Sequence, residues 1–237
     1  MVDTRVNGPA RVAFNGIPRS TIHELRTPLT SIRGYAQLLL RGARNEQQAR
    51  RAYETMFRES QRLSSILDRL SDVAEVMIGS TPLHPVRVDL QSAAVESAAA
   101  ARDRWPSHRI IHSYGMGPKV IIDPLSLRNL IAILLDNASC FSQPGSTIET
   151  SVRTEDGCGY LAISDQGIGI PADELEAVFE CFIRASNAAT AGQAASSGLG
   201  IGLFLARSAV QRAAGEIWAE SELKRGSTFQ FGLPLAR

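Results

Sequence analysis

Residues 49–77 place Ala49, Tyr53, Met56, Ser60, Leu63, Leu67, Leu70, Ala74 and Met77 in an unbroken alternation of four and three. A helix with that spacing carries one continuous apolar stripe, and the stripe must be covered. A shorter series, Ile22, Leu25, Leu29, Ile32, Ala36 and Leu39, follows the same rule upstream. Pro18 suits the first turn of that helix, which is expected to run from about 18 to 40. Arg41-Gly42-Ala43-Arg44-Asn45 reads as a hairpin loop, and Gly79-Ser80-Thr81-Pro82 as the end of the second helix. One two-helix hairpin leaves much of its stripe bare. Two hairpins joined in a four-helix bundle cover it, so residues 17–80 are expected to form a homodimer. Residues 1–16 have no period and read as a leader or linker.

After Pro85 the pattern becomes mixed. Strands are expected at 86–88, 109–113, 119–122, 146–153, 160–164, 216–220 and 228–233. Asp89 and Asp123-Pro124 read as helix starts, for helices to about 102 and 141. A further helix is expected over 199–213, and Asp156-Gly157 marks a hairpin. Pro171 opens an acid-rich turn, and 185–198 reads as a loose loop of small and polar residues. The fold class is therefore α+β: a helical hairpin forming a dimeric four-helix bundle, then a two-layer α/β sandwich over 81–237.

Composition excludes more than it selects. The net charge of +1 gives no reason to expect nucleic acid or a membrane surface as partner. No apolar run approaches the ~20 residues of a membrane span, and no signal segment opens the chain. Cys140, Cys158 and Cys181 form no close pair, which suits a reducing compartment. The expected location is cytoplasmic, either as a whole protein or as the cytoplasmic part of a larger sensor.

His23-Glu24-Leu25-Arg26-Thr27-Pro28 heads the first helix. His23 falls just off the seam, so its backbone is held while its ring meets water. An imidazole is a nucleophile near neutral pH, and an adjacent carboxylate can orient it or take its proton. Thr27 shares the histidine's face. Pro28 cannot donate to the carbonyl of Glu24, which loosens the helix beside the histidine.

Three further stretches carry nucleotide-site chemistry. In Asp136-Asn137, side-chain oxygens could meet a hard cation such as Mg²⁺. In Asp165-Gln166-Gly167-Ile168-Gly169, a strand-end carboxylate can accept from an amino group, and the glycines admit close approach. In Gly198-Leu199-Gly200-Ile201-Gly202, glycines precede a helix and leave N–H groups for phosphate. A loop, not a strand, precedes this run, which rules out a Rossmann fingerprint.

In this order the stretches resemble the Asn box and two glycine boxes of GHKL ATPases. Residues 178–184 resemble the Phe box, and Gly226-Ser227-Thr228-Phe229 the last glycine box. His23-Glu24 with Pro28 resembles the phosphoacceptor box of sensor histidine kinases. The resemblance implies His23 as phosphoacceptor, Glu24 as base or orienter, and Thr27 as the residue positioning water for dephosphorylation. It implies Asn137 on Mg²⁺, Asp165 on adenine and Phe141 packed near the base. Gly167 and Gly169 would shape the base pocket, with Thr228 beside it. Gly198, Gly200 and Gly202 would lie by the phosphates, Arg184 near the terminal one, and 185–197 would be the ATP lid. ATP and Mg²⁺ would be the small-molecule partners, and a response-regulator receiver domain in a separate chain the acceptor. Ile133, Cys140 and Lys224 stand where members commonly carry Asn, Lys or Arg, and Gly. These departures keep a second reading open, a degenerate docking or phosphotransfer module that no longer uses nucleotide.

Overall fold

The computed structural model describes residues 18–42, 45–78, 83–114, 117–191 and 198–236. These fall into two compact units, one helical up to Ile78 and one α/β from Leu83. The leader expected at 1–16 and the helix end expected at 79–82 lie outside the described residues.

The helical unit is a hairpin of α1 (Arg19–Leu40) and α2 (Glu46–Ile78). Asn45 starts α2, its Oδ1 accepting from Gln48 N at 2.8 Å. The seam inside the hairpin differs from the expected series by one position. Ala52, Ile66 and Val73 are buried, spaced by multiples of seven, whereas Tyr53 and Leu67 of the expected series are exposed. The stripe on α2 is wider than one helix can cover. Packing against α1 takes one edge of it, leaving Leu67 51% exposed and Phe57 65%, with Leu29 of α1 at 57%. Among the described residues no helix is long and apolar enough to cross a membrane.

The second unit begins with β1 (Val86–Asp89) and α3 (Leu90–Arg104). Next come β2 (Arg109–Tyr114), β3 (Lys119–Ile122) and α4 (Pro124–Phe141). Then follow β4 (Thr147–Glu155), β5 (Cys158–Ser164), α5 (Gly202–Arg212), β6 (Glu216–Glu222) and β7 (Gly226–Pro234). Asp89 and Asp123 cap their helices by accepting from Ser92 N and Ser126 N, each at 2.8 Å. The β4–β5 hairpin turns through Asp156 and Gly157, both at positive φ, the two-residue loop that an Asp-Gly pair favours.

The main sheet has the order β2-β4-β5-β7-β6, antiparallel except for β2 beside β4. β1 and β3 form a two-stranded sheet of their own, which the chain's end joins through a bridge between Val120 and Leu235, so the strands on either side of residues 115–118 belong to different sheets. One face of the main sheet presents Ile148, Val152, Leu161, Ile163, Phe229, Phe231 and Leu233 to the helices. The other carries Tyr160 edge-on to Trp218, with the Arg153 guanidinium 4.6 Å from the Tyr160 ring. That is the expected two-layer sandwich, with α4 in its core through Leu127, Leu130, Ile131, Leu134 and Leu135. The last helix starts at Gly202, three residues later than its apolar pattern suggests, because Gly200 at φ +70 is still turning.

Candidate functional site

At the end of β5 the backbone enters the Asp165–Gly169 turn. Asp165 is only 9% exposed. Its Oδ1 accepts from Gly167 N at 2.8 Å and from Ser227 N at 3.2 Å. Its backbone N–H donates to Ser227 O at 2.8 Å, tying the turn to β7. Oδ2 has no hydrogen bond among the described residues, so one carboxylate oxygen is fixed and the other is left over. Burial pushes the carboxyl up to about 6, against the two backbone N–H groups that favour its charge.

The glycines follow from close packing. A Cβ on Gly167 would strike the carbonyl of Phe141 at the end of α4, and one on Gly226 the carbonyl of Asp165. Gly169, at φ +69, lies against the Glu222 carbonyl. Lys224 N donates to Ile168 O at 2.8 Å, so the β6–β7 turn is docked on the Asp165 turn. Lys224 itself sits at φ +63, which favours glycine. Lys224→Gly is expected to stabilise this unit by about 0.5–1 kcal/mol. Thermal melts of the two proteins check it, and an unchanged or lower melting temperature would show that the turn holds Lys224 without strain.

Hydroxyls line the strands beside the turn. Ser164 and Thr228 share a hydrogen bond at 2.9 Å, as do Ser221 and Ser227. Ser221 Oγ also accepts from Ile170 N at 2.8 Å. The structure thus brings Asp165, Gly167, Gly169 and Thr228 together at the C-terminal end of α4, which carries Phe141. The start of α5 joins them, since a Cβ on Gly202 would lie 3.3 Å from Ile133 of α4. Gly200 is held against Ile183, with Arg184 Cγ 3.0 Å from the place of its missing Cβ, and its carbonyl accepts from Phe182 N at 2.8 Å. Among the described residues nothing lies within 4 Å of the place of a Cβ on Gly198.

Two expectations need correction. Asp136 is not available to a cation: its carboxylate accepts from Arg104 Nη1 at 2.6 Å and Trp105 Nε1 at 2.9 Å. Asn137, half-buried on the same helix, makes no side-chain hydrogen bond among the described residues. The loop expected over 185–198 is not loose throughout, because Ala188–Ala191 form a 3-10 turn with Ala188 buried. Residues 192–197 lie outside the described set. Two other groups are committed elsewhere. His112 Nδ1 lies 2.8 Å from Thr150 Oγ1 and its Nε2 2.6 Å from Arg102. Burial and Glu180 push the Cys181 thiol up to about 11, so it is not a thiolate at neutral pH.

On the helical unit His23 is exposed, and Thr27 Oγ1 donates to the His23 carbonyl at 3.1 Å. α1 runs through Pro28 without interruption. One oxygen of Glu24 is taken by Arg62 of α2, at 3.1 Å. Only the pairing of the two helices reveals Arg62; nothing in the sequence of α2 alone marks it.

Two family models match the chain. Residues 20–76 match the His Kinase A (phospho-acceptor) domain. Residues 122–237 match the histidine kinase-, DNA gyrase B- and HSP90-like ATPase. The chain belongs to the sensor histidine kinases. Among similar kinases, the adaptive-response sensory kinase SasA of Synechococcus elongatus is 34% identical over 163 residues, 67% of this chain and 41% of SasA. The sensor protein SrrB of Staphylococcus aureus is 28% identical over 217 residues, 90% of this chain and 36% of SrrB. In fold, the histidine kinase ThkA, solved in complex with the response regulator TrrA, superposes with a TM-score of 0.70 at 17% identity, over 94% of this chain and 62% of ThkA. The chain therefore spans well under half the length of these two curated sensor kinases. As a kinase core it departs from the usual pattern at Ile133, which lies against Gly202, and at Cys140, half-buried one residue before Phe141.

Proposed function

We propose that this chain uses ATP to phosphorylate His23 and passes the phosphoryl group to an aspartate of a response-regulator receiver domain in a separate chain. Asp165 carries the reading: a nearly buried carboxylate with one oxygen anchored by two backbone N–H groups and one left for the adenine amino group. The glycines around it leave room where side chains would intrude. Asn137 would hold Mg²⁺, which would neutralise phosphate charge when bound. Phe141 would flank the base, Thr228 would assist Asp165, and Gly198, Gly200, Gly202 and Arg184 would meet the phosphates. In the transfer, an imidazole nitrogen of His23 bonds to the terminal phosphorus as the bond to ADP breaks. Glu24 takes the proton released by the ring, and Arg62 sets the carboxylate's orientation. Thr27 would orient water when the same hairpin dephosphorylates the regulator. Residues 17–80 would be the phosphoacceptor and dimerisation domain, and 81–237 the catalytic domain, acting in the cytoplasm.

The non-catalytic reading has less support, because Asp165 and its glycine contacts are intact despite Cys140 and Ile133. Incubation with labelled ATP and Mg²⁺, followed by addition of a receiver domain, tests the proposal. Label should enter the chain and then leave it for the receiver; a chain that never takes up label would leave only the docking module.

A homodimer through the hairpin belongs to the same reading. Ile22, Leu29, Tyr53, Phe57 and Leu67 are exposed on the two helices, and a second hairpin would cover them. Light scattering of the whole chain at micromolar concentration should give twice the chain mass, and Leu67→Glu should weaken the association at least about tenfold. A monomer that keeps its helicity would show that the seam is not a dimer face.

A further inference from the structure

We propose that Asn187 is a positioning residue of the nucleotide site, fastening residues 185–191 to the turn that carries Asp165. The inference rests on the nucleotide-site reading above and adds a residue to it.

Asn187 Nδ2 donates to the Gly169 carbonyl at 2.8 Å. The acceptor is a fixed point. Gly169 is at φ +69 and wedged against the Glu222 carbonyl, and the preceding residue, Ile168, accepts from Lys224 N. The donor is fixed as well. The Asn187 carbonyl accepts from Thr190 N at 2.9 Å and from Thr190 Oγ1 at 2.7 Å, which closes the 3-10 turn Ala188–Ala191. Ser186 N donates to Glu174 Oε2 at 2.8 Å, a second tie from the same stretch.

The 3-10 turn packs in turn on α4, the helix of Asn137 and Phe141. Residues 185–191 therefore form a strap. Asn187 bonds it to the turn that carries Asp165, and residues 188–191 lie on the helix assigned to the cation. Ile168 N already donates to the Phe141 carbonyl at 3.3 Å, and Asn187 adds a second tie between the two halves of the site through the strap.

The chemistry requires an amide. A carbonyl can only accept, so the group facing Gly169 must be the nitrogen. The amide oxygen, Oδ1, is then buried and has no partner among the described residues. Among the described residues the bond to Gly169 is thus the one side-chain bond Asn187 makes. Aspartate has the same shape but would set a carboxylate oxygen against the Gly169 carbonyl. Alanine removes the tie and leaves space. The two variants separate the donor from the volume.

The test uses the whole chain with ADP and Mg²⁺ as the probe. Hydrogen exchange is followed at 165–170 and at 185–191, with and without saturating nucleotide, alongside the dissociation constant and the melting temperature of the free protein. In the wild type, nucleotide should slow exchange in both segments. In Asn187→Ala it should slow exchange at 165–170 only, with affinity reduced about five- to tenfold, the worth of one neutral hydrogen bond. Asn187→Asp should lose at least as much affinity, and both free variants should melt within a few degrees of the wild type. An Asn187→Asp protein that binds like the wild type would overturn the proposal, since shape alone would then suffice. Equal protection of both segments in Asn187→Ala would also overturn it. If ADP protects neither segment of the wild type, the nucleotide-site reading itself fails, and the positioning role falls with it.

Discussion

A His23→Ala protein is expected to take up no phosphate from ATP, whereas the wild-type chain takes up phosphate that is lost in acid and kept in base. The argument starts from position. His23 is exposed on a helix whose other face is packed, so the ring is open to attack while its backbone is held. Thr27 adds a local bond to the His23 carbonyl beside Pro28, which lacks an N–H to donate although the helix continues through it. A phosphoryl group on nitrogen leaves when that nitrogen is protonated, which gives the acid lability; a serine or threonine ester would show the opposite pattern. Because His23 is exposed, its replacement should leave the melting temperature within about a degree or two, so loss of label cannot be blamed on unfolding. Glu24→Gln should keep nucleotide binding but slow labelling by roughly a hundredfold or more, the usual contribution of a positioned base. An alanine protein labelled at the wild-type rate would move the phosphoacceptor elsewhere and sink the assignment.

The sequence was most informative where one local rule acts alone. Aspartate caps at Asp89 and Asp123 and the Asp156-Gly157 turn were legible because each depends on a few neighbouring residues. The α4 core and the period-two strands were legible because one face of each is buried. What remained hidden depends on pairing between distant residues. The true seam of α2 shifts to Ala52, Ile66 and Val73 because α1 lies on one edge of a wide stripe. Asp136 looked like a cation ligand until Arg104 at the end of α3 and Trp105 just after it supplied donors. Arg62 and Asn187 carry no sequence signal, since their partners are 38 and 18 positions away. The glycines mixed both cases: Gly167, Gly169 and Gly200 are required by contacts, whereas Gly198 meets none among the described residues.

Asp165→Asn is expected to abolish ATP binding and, at the same time, to make the free protein more stable. Both effects come from the same two oxygens. An asparagine can keep its carbonyl where Oδ1 accepts from Gly167 and Ser227. Its NH₂ group then replaces Oδ2 and points a donor at the place where the adenine amino group would also donate. The lost charge-assisted bond amounts to ~1.5–3 kcal/mol and the unmatched buried donor to ~1–3 kcal/mol, so affinity should fall at least about a hundredfold. Stability moves the other way. Burial raises the folded-state carboxyl to about 6, so ionising it costs more in the folded chain than in the unfolded one. The stabilisation linked to its proton is fully present below the unfolded value near 3.8 and is lost as pH rises through about 6. At pH 7.5 the wild type therefore bears a penalty on the order of 3 kcal/mol that the neutral amide lacks. Asn should raise the melting temperature at pH 7.5, and the advantage should vanish towards pH 4. Adenosine, which has no phosphate titrating in this range, should bind the wild type about tenfold more weakly at pH 5 than at pH 7.5. Calorimetry with a non-hydrolysable ATP analogue, paired with melts at both pH values, separates the outcomes. Unchanged ATP affinity would reduce the glycine-flanked turn to a turn. Lost affinity with a lower melting temperature at pH 7.5 would mean that the carboxylate holds the fold together and was never set aside for a base.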